Sequence, residues 1–183
     1  MKAIFYAVLT YLVVSSGALA LDTAKGFATD NVVLYQPDDD LRERLPGGDV
    51  TDLANYIKQI QAVCTKFFAT TTKPENFTIV VAIRPGKRSR VWFISSTLPP
   101  TDLSREPLRK KLDAISACDV RGGPVAFAIV AQLAGGNGKI PKASDKDFSP
   151  PIPKEWSDAQ LPKNPGPLPG CYLDVIWPDK PNK

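Results

Sequence analysis

The sequence predicts an α+β protein, a two-layer sandwich in which a small antiparallel sheet carries two helices on one face. Apolar residues recur every three or four positions in residues 49–68 and 103–116, which is the spacing of amphipathic helices. Apolar β-branched and aromatic residues follow a period of two in residues 77–83, 91–93 and 125–133, which is typical of strands. The resulting order of helix, strand, strand, helix and strand favours a sheet covered by helices.

Residues 1–20 are predicted to be a secretory signal peptide. Lys2 gives a positive start, "IFYAVLTYLVV" is an apolar core, and "SSGALA" ends in the small-x-small pattern of a cleavage site. The run from Ile4 to Ala20 is short for a membrane span and is not followed by a basic stop, so cleavage is favoured over a retained anchor. We therefore expect an exported protein, periplasmic or extracellular, that keeps no stable membrane span.

Cleavage would leave 163 residues, enough for one domain with a core of its own. The formal net charge would fall from +4 to +3, because Lys2 is the charged residue that is removed. A nucleic-acid-binding protein would carry a stronger and more clustered basic excess, so no nucleic-acid partner is expected.

Residues 21–48 are predicted to be an irregular N-terminal segment with one strand-like run, Val32–Tyr35. The acidic triplet Asp38–Asp40 lacks the alternating spacing, central glycine and closing glutamate of a calcium-binding loop. It is better explained as a solvated acidic turn.

The α+β core is predicted at residues 49–140. Asp49 or Thr51 can cap the first helix. Its apolar stripe comprises Leu53, Ile57, Ile60, Val63, Cys64, Phe67 and Phe68.

A hairpin follows the first helix. Proline fixes φ at the first central position of a tight turn and glycine permits a positive φ at the second, so Pro85-Gly86 is predicted to join the first two strands.

The second helix has a buried stripe of Leu108, Leu112 and Ile115, and it leads to a third strand bounded by glycines. A right-handed crossover would place this strand beside the first, which gives a three-stranded sheet in the order 2-1-3 with both helices on one face. The first and third strands are apolar on both sides, so a second layer is expected on the other face.

Residues 141–183 are predicted to supply that layer as an irregular proline-rich cover. Ten of the eighteen prolines lie from Pro141 onward, which excludes regular helix or central strand in segments such as "LPKNPGPLPG". Apolar residues such as Trp156 are interspersed, and "CYLDVIW" at 171–177 reads as an edge strand.

Three cysteines allow one intramolecular disulfide in an oxidising compartment. We favour Cys64 with Cys118, because each lies near the end of a predicted helix that packs on the same sheet. Cys171 would then be a buried thiol or, less favoured, an intermolecular link.

The chain contains no histidine, which excludes Ser-His-Asp and Cys-His catalysis and removes the commonest transition-metal ligand. It also lacks a CxxC pair, and we expect neither a cofactor nor a metal site. An envelope enzyme that depends on carboxylates, with Asp113, Asp119 or Asp174 brought together by folding, remains as the alternative function.

Four cations surround the Pro-Gly turn: Arg84, Lys87, Arg88 and Arg90. They form either a patch that binds an anionic partner or the solvated tip of a hairpin. Salt screens such attraction within about 8 Å, so a patch of this kind would bind weakly.

The run from Phe77 to Leu133, a hairpin, a helix and then "GGPVAFAIVAQL", resembles the C-terminal domain of periplasmic energy-transducing proteins of the TonB and TolA type. That resemblance implies a small sheet that presents an edge strand to a partner. Such proteins keep an N-terminal anchor and have a long spacer before this domain, whereas here the N-terminal segment is expected to be removed and no long spacer is expected. The expected function is therefore non-catalytic binding, through a sheet edge or the basic hairpin tip, to another envelope or extracellular protein or to an anionic envelope component.

Overall fold

The computed structural model describes residues 26–98, 103–138, 145, 149–161 and 169–178. The predicted signal peptide lies outside these residues. The strands are β1 (Phe27–Leu34), β2 (Glu75–Arg84), β3 (Arg88–Ser95) and β4 (Val125–Leu133). The α-helices are α1 (Asp38–Arg44), α2 (Thr51–Phe67), α3 (Glu106–Asp113), α4 (Lys154–Ser157) and α5 (Gly170–Ile176). The predicted α+β class is confirmed.

The sheet has four strands in the order β1-β4-β2-β3, and every neighbouring pair is antiparallel. The predicted three-stranded sheet in the order 2-1-3 therefore lacks one strand. The predicted strands 2, 1 and 3 correspond to β3, β2 and β4, which lie side by side in that order. The additional strand, β1, pairs with the outer side of β4.

Strand β1 lies in the segment that was expected to be irregular. Its pairing with β4 shifts register between Thr29 and Asn31, which leaves Asp30 as the extra residue of a β-bulge. The bulge interrupts the period-two pattern on which strand prediction depends, and the polar run Thr29–Asn31 obscures it further. Helix α1 also lies in this segment, with the acidic triplet in its first turn.

Helices α2 and α3 pack on the same face of the sheet. Ile60 and Cys64 of α2 and Leu112 of α3 are buried in one cluster with side chains of β2, β3 and β4. Helix α2 begins where Asp49 accepts hydrogen bonds from the N–H and hydroxyl of Thr51, at 2.8 and 2.7 Å. These bonds hold the pKa of Asp49 below its usual value.

The second face of the sheet is buried as well. Val80, Ala82 and Trp92 form a separate cluster there with Trp156 of α4 and Leu173 of α5. Trp156 packs against Tyr35 and Trp92, with ring centroids 5.6 and 5.3 Å apart. The proline-rich residues 149–153 before α4 have no regular secondary structure, and the stretch after α4 lies mostly outside the described residues, so an irregular cover over 141–183 stays a prediction.

The edge strand predicted at residues 171–177 is wrong, because this segment forms helix α5. Tyr172, Leu173, Ile176 and Trp177 all belong to the second cluster. Their spacing of one, three and four positions is that of one helical face, and it places Leu173 against the sheet. In the part of the chain that the structure describes, no helix is long and apolar enough to cross a membrane.

Candidate functional site

The basic hairpin forms as predicted around Pro85-Gly86. Arg84 and Arg88 are the last residue pair of the β2–β3 ladder, so the loop consists of Pro85, Gly86 and Lys87. Gly86 has a φ of 81° and Lys87 a φ of 57°, both in the left-handed region. Glycine adopts this region without strain, which explains the residue at the middle of the loop.

Arg84 is not part of an exposed patch, because only 2% of its surface is accessible. Its Nη2 lies 2.9 Å from Oδ1 of Asp174 in α5. The guanidinium also lies over the ring of Trp177, 5.6 Å from the centroid. The first cation of the predicted patch is therefore an anchor for α5.

Arg88 and Arg90 are exposed, and both contact the C-terminal end of α5: Arg88 at Trp177 and Arg90 at Ile176. The guanidinium of Arg88 lies 5.9 Å from the centroid of the Trp177 ring, the same ring over which Arg84 lies. Arg90 lies over Trp92 at 5.2 Å and donates a hydrogen bond of 3.1 Å to the carbonyl of Ile176. Only Lys87 lies at the tip itself. These contacts give the hairpin a structural function in holding α5, and they reduce the case for an anion-binding patch.

Cys64 and Cys118 are both buried but are free thiols, so the predicted disulfide is absent from this structure. Cys118 is close enough to Tyr56 and Asp52, near the start of α2, to interact with both electrostatically. Cys64 lies two helical turns beyond Tyr56, about 12 Å along the axis toward the other end of α2. Cys171, in α5, is a half-buried free thiol.

The acids proposed for the alternative enzyme do not come together in one site. Asp113 ends α3, on one face of the sheet, whereas Asp174 lies in α5, on the other. Asp119 is exposed in the loop after α3. Desolvation, with a smaller contribution from Glu106, raises the pKa of Asp113 above its ordinary value, and Arg109 and Arg90 offset only part of that rise. Among the described residues, no group of three or more carboxylates and thiols is arranged to hold a metal ion.

A groove of about 370 Å³ lies along the second half of β3, at the outer edge of the sheet. Apolar and polar side chains line it in nearly equal measure: α3 contributes Glu106 and Arg109, and α4 contributes Lys154, Glu155 and Ser157. The apolar residues that line it include Phe77, Phe93, Ile94, Leu98, Leu103 and Ile152. This groove was not predicted from the sequence.

The backbone of β3 is oriented toward this groove at alternate residues. Ser96 N–H donates to the carbonyl of Asn76 on β2, so the even-numbered residues of β3 pair with β2. The backbone groups of Phe93 and Ser95 consequently point away from β2 and into the groove. An edge strand of this kind can accept another strand.

Two arginines contribute charge on the α3 side of the groove. Arg105 donates to Glu75 over 2.8 Å and stacks on Phe77, and the Glu75 carboxylate is buried, so this cation is neutralised within the fold. Arg109 lies over the ring of Phe93, 5.0 Å from its centroid, and donates a hydrogen bond from Nη1 to the carbonyl of Val91. Its Nε lies 3.4 Å from the half-buried Glu106.

Exposed apolar side chains concentrate at the groove. Among the described residues, three large apolar residues are exposed: Leu103 at 78%, Val175 at 44% and Ile152 at 36%. Two of them, Leu103 and Ile152, line the groove. Apolar surface at a concave site is a common mark of binding surfaces. One sequence signal was available: Leu103 lies off the stripe formed by Leu108, Leu112 and Ile115.

Comparison of the chain with protein-family models, with curated proteins and with solved structures finds no match.

Proposed function

We propose that this protein is a small exported binding protein that accepts an extended peptide segment on the outer edge of β3. One observation carries the proposal: the outward backbone groups of Phe93 and Ser95 lie in a groove of about 370 Å³ that is lined by both apolar and charged side chains. Strand addition uses such backbone groups for affinity and the neighbouring pockets for specificity. The partner would be another envelope or extracellular protein.

Of the two surfaces considered, the sheet edge has more support than the basic hairpin. Arg84 is engaged with Asp174, and Arg90 is engaged with the carbonyl of Ile176. The resemblance to TonB and TolA-type domains, which stays a prediction, implies the same use of an edge strand. Binding to an anionic envelope component through Lys87 and Arg88 is the weaker proposal.

The carboxylate-dependent enzyme has less support, because none of the three acids proposed for it lines the groove. The exposed apolar residues at the groove favour binding over acid–base chemistry.

The direct test is amide hydrogen exchange by NMR, with a pool of synthetic hexapeptides rich in valine, isoleucine and threonine. Half of the pool has free carboxyl ends and half has amidated ends. Strand addition would slow exchange at the amides of Phe93 and Ser95, because both would become hydrogen-bonded to the peptide. Tyr35 N–H donates to Ala126 on β4, so the alternate amides of Val32 and Leu34 on β1 face outward and serve as the internal control.

Variants separate the groove from general stickiness. Leu103→Glu and Ile152→Glu are expected to abolish the protection, whereas Val175→Glu should leave it unchanged, since Val175 is exposed but does not line the groove. If the pool leaves the Phe93 and Ser95 amides unprotected, or if the Val175 variant is as defective as the other two, the proposal is wrong.

A further inference from the structure

We propose that the groove recognises the free carboxyl end of its peptide partner, which it binds antiparallel to β3 with the terminal carboxylate at Arg109. This inference rests on the proposed function. It follows from where pairing along β3 must stop, from the direction of the added strand and from the charge at that point.

Pairing along the outer edge of β3 stops at Val91. The carbonyl of Val91 faces outward, by the same alternation that turns Phe93 and Ser95 outward, and it already accepts a hydrogen bond from Arg109. An added strand would therefore pair with Phe93 and Ser95 and meet the Arg109 guanidinium beyond them. Two outward residues correspond to a partner segment of about three residues, because only alternate residues of each strand face the neighbour.

The direction of pairing determines which end of the peptide arrives at Arg109. Every strand pair in this sheet is antiparallel, and antiparallel pairing is the slightly more stable kind. Strand β3 runs from Arg88 to Ser95, so an antiparallel peptide runs from Ser95 toward Val91. Its carboxyl end, rather than its amino end, then lies beside the guanidinium.

Arg109 has the capacity to bind a carboxylate there. Nη1 donates to Val91 and Nε faces Glu106, and within the described residues no acceptor is paired with Nη2, so its N–H groups can bind a ligand. Stacking on Phe93 fixes the plane of the guanidinium next to the groove. A charged acceptor makes the shorter and stronger kind of hydrogen bond with such a donor.

Acids near Arg109 and on the α4 side of the groove, where Glu155 follows Lys154, oppose this attraction, and one of them provides a test. Glu106 lies 3.4 Å from Arg109, and Asp113 is close enough for Arg109 to lower its pKa. The Glu106 pair is partly exposed and hence weak, so a ligand carboxylate can compete with it. Replacing Glu106 with glutamine should strengthen binding of a carboxylate and leave binding of an amide unchanged.

The experiment compares the two halves of the hexapeptide pool on the purified protein, by titration with NMR detection at the Phe93 and Ser95 amides. We expect the free-carboxyl peptides to bind about tenfold more tightly than the same sequences as amides. Arg109→Gln should remove this difference, and Arg109→Lys should keep part of it. The matched control is Lys110→Gln, which removes an exposed cation adjacent in sequence and should change neither affinity.

The outcomes separate this inference from the proposed function. Equal affinity of the two halves, with protection at Phe93 and Ser95, retains the binding site and rejects recognition of the carboxyl end. Tighter binding of the amides rejects it as well. Absence of binding by either half rejects both the site and the ligand. Thermal unfolding of each variant shows whether a loss of binding comes from a loss of fold. If Arg109→Gln is unfolded, the folded Arg109→Lys variant is used, and a carboxyl preference equal to that of the original protein rejects the role of Arg109.

Discussion

Arg84 and Asp174 form an ion pair of 2.9 Å in which the arginine side chain is 3% exposed and the aspartate side chain 71%. The buried member is a cation that burial disfavours, and the exposed member is the one that neutralises it. The pair joins β2 to α5 across 90 positions of sequence. It explains why a charge at the end of a predicted hairpin lies within the protein.

Asp174→Ala is expected to lower the free energy of unfolding by about 1–2 kcal/mol, because the buried Arg84 loses its carboxylate partner. The matched control is Asp158→Ala, which breaks an exposed i,i+4 pair with Lys154 and should cost less than about 0.5 kcal/mol. Urea unfolding followed by circular dichroism measures both. Equal effects of the two substitutions would contradict the view that Arg84 depends on Asp174.

Trp156→Ala is expected to lower the free energy of unfolding by about 3–5 kcal/mol, the usual range for a large buried aromatic residue. Trp156 is fully buried between Tyr35, Trp92 and Tyr172. Trp177→Ala should cost only about 1 kcal/mol, since it removes a half-exposed ring and its stacking with arginines. A small effect at Trp156 would show that the second face does not need this side chain.

Thiol titration of the unfolded protein without reductant should find three reactive cysteines per chain, because all three thiols are free in the structure. Under native conditions Cys171 should react first, as it is the least buried. A count of one after unfolding would instead support a disulfide and identify it, by peptide mapping, as the predicted Cys64–Cys118 bond or another.

Stability is expected to fall as the pH rises above about 9. Burial raises the pKa of Cys64 to about 12 and that of Cys118 to about 11, from the ordinary value of 9.0. Between pH 9 and the raised pKa values, the unfolded chain releases thiol protons that the folded chain retains. The free energy of unfolding is therefore fully present below pH 9 and decreases as the pH rises. The double variant Cys64→Ala, Cys118→Ala should show a shallower fall in urea midpoint between pH 8.5 and 10.5. Parallel curves for the two proteins would contradict the predicted shifts.

Gly136→Ala is expected to destabilise the protein more than Gly135→Ala. Both glycines have positive φ, 72° and 87°, so alanine is strained at each by about 1–2 kcal/mol. Only at Gly136 would the added Cβ also come within 2.5 Å of Gln132 and 2.7 Å of Asn76. Thermal midpoints of the two variants measure the difference, and a more severe effect at Gly135 would argue against this crowding.

The elements that a regular period marks could be predicted, and those that a local irregularity interrupts could not. Helix α2 and strands β2 and β4 have uninterrupted patterns and appear where those patterns lie. Strand β1 was largely missed because its bulge at Asp30 breaks the alternation. Helix α5 was read as a strand because "CYLDVIW" is short and rich in aromatic and β-branched residues, and only packing against the sheet distinguishes the two.

The candidate site was predicted as a type of surface but not as a place. A sheet edge was expected, but the sequence does not show which alternate residues of β3 direct their backbone N–H and C=O groups outward. That depends on register, which the Ser96 to Asn76 hydrogen bond reveals. The four cations were found from sequence, but the burial of Arg84 depends on a residue 90 positions away.

The bulge at Asp30 has a further consequence for assembly. A sheet with two regular edges can add copies of itself at both sides and grow without limit, as fibrils do. Here β1 carries a bulge and a charged residue near the middle of one edge, whereas the pairing of β3 with β2 has no register shift. We therefore expect strand addition at the β3 side, and a complex with one added strand per chain in place of growth at both edges.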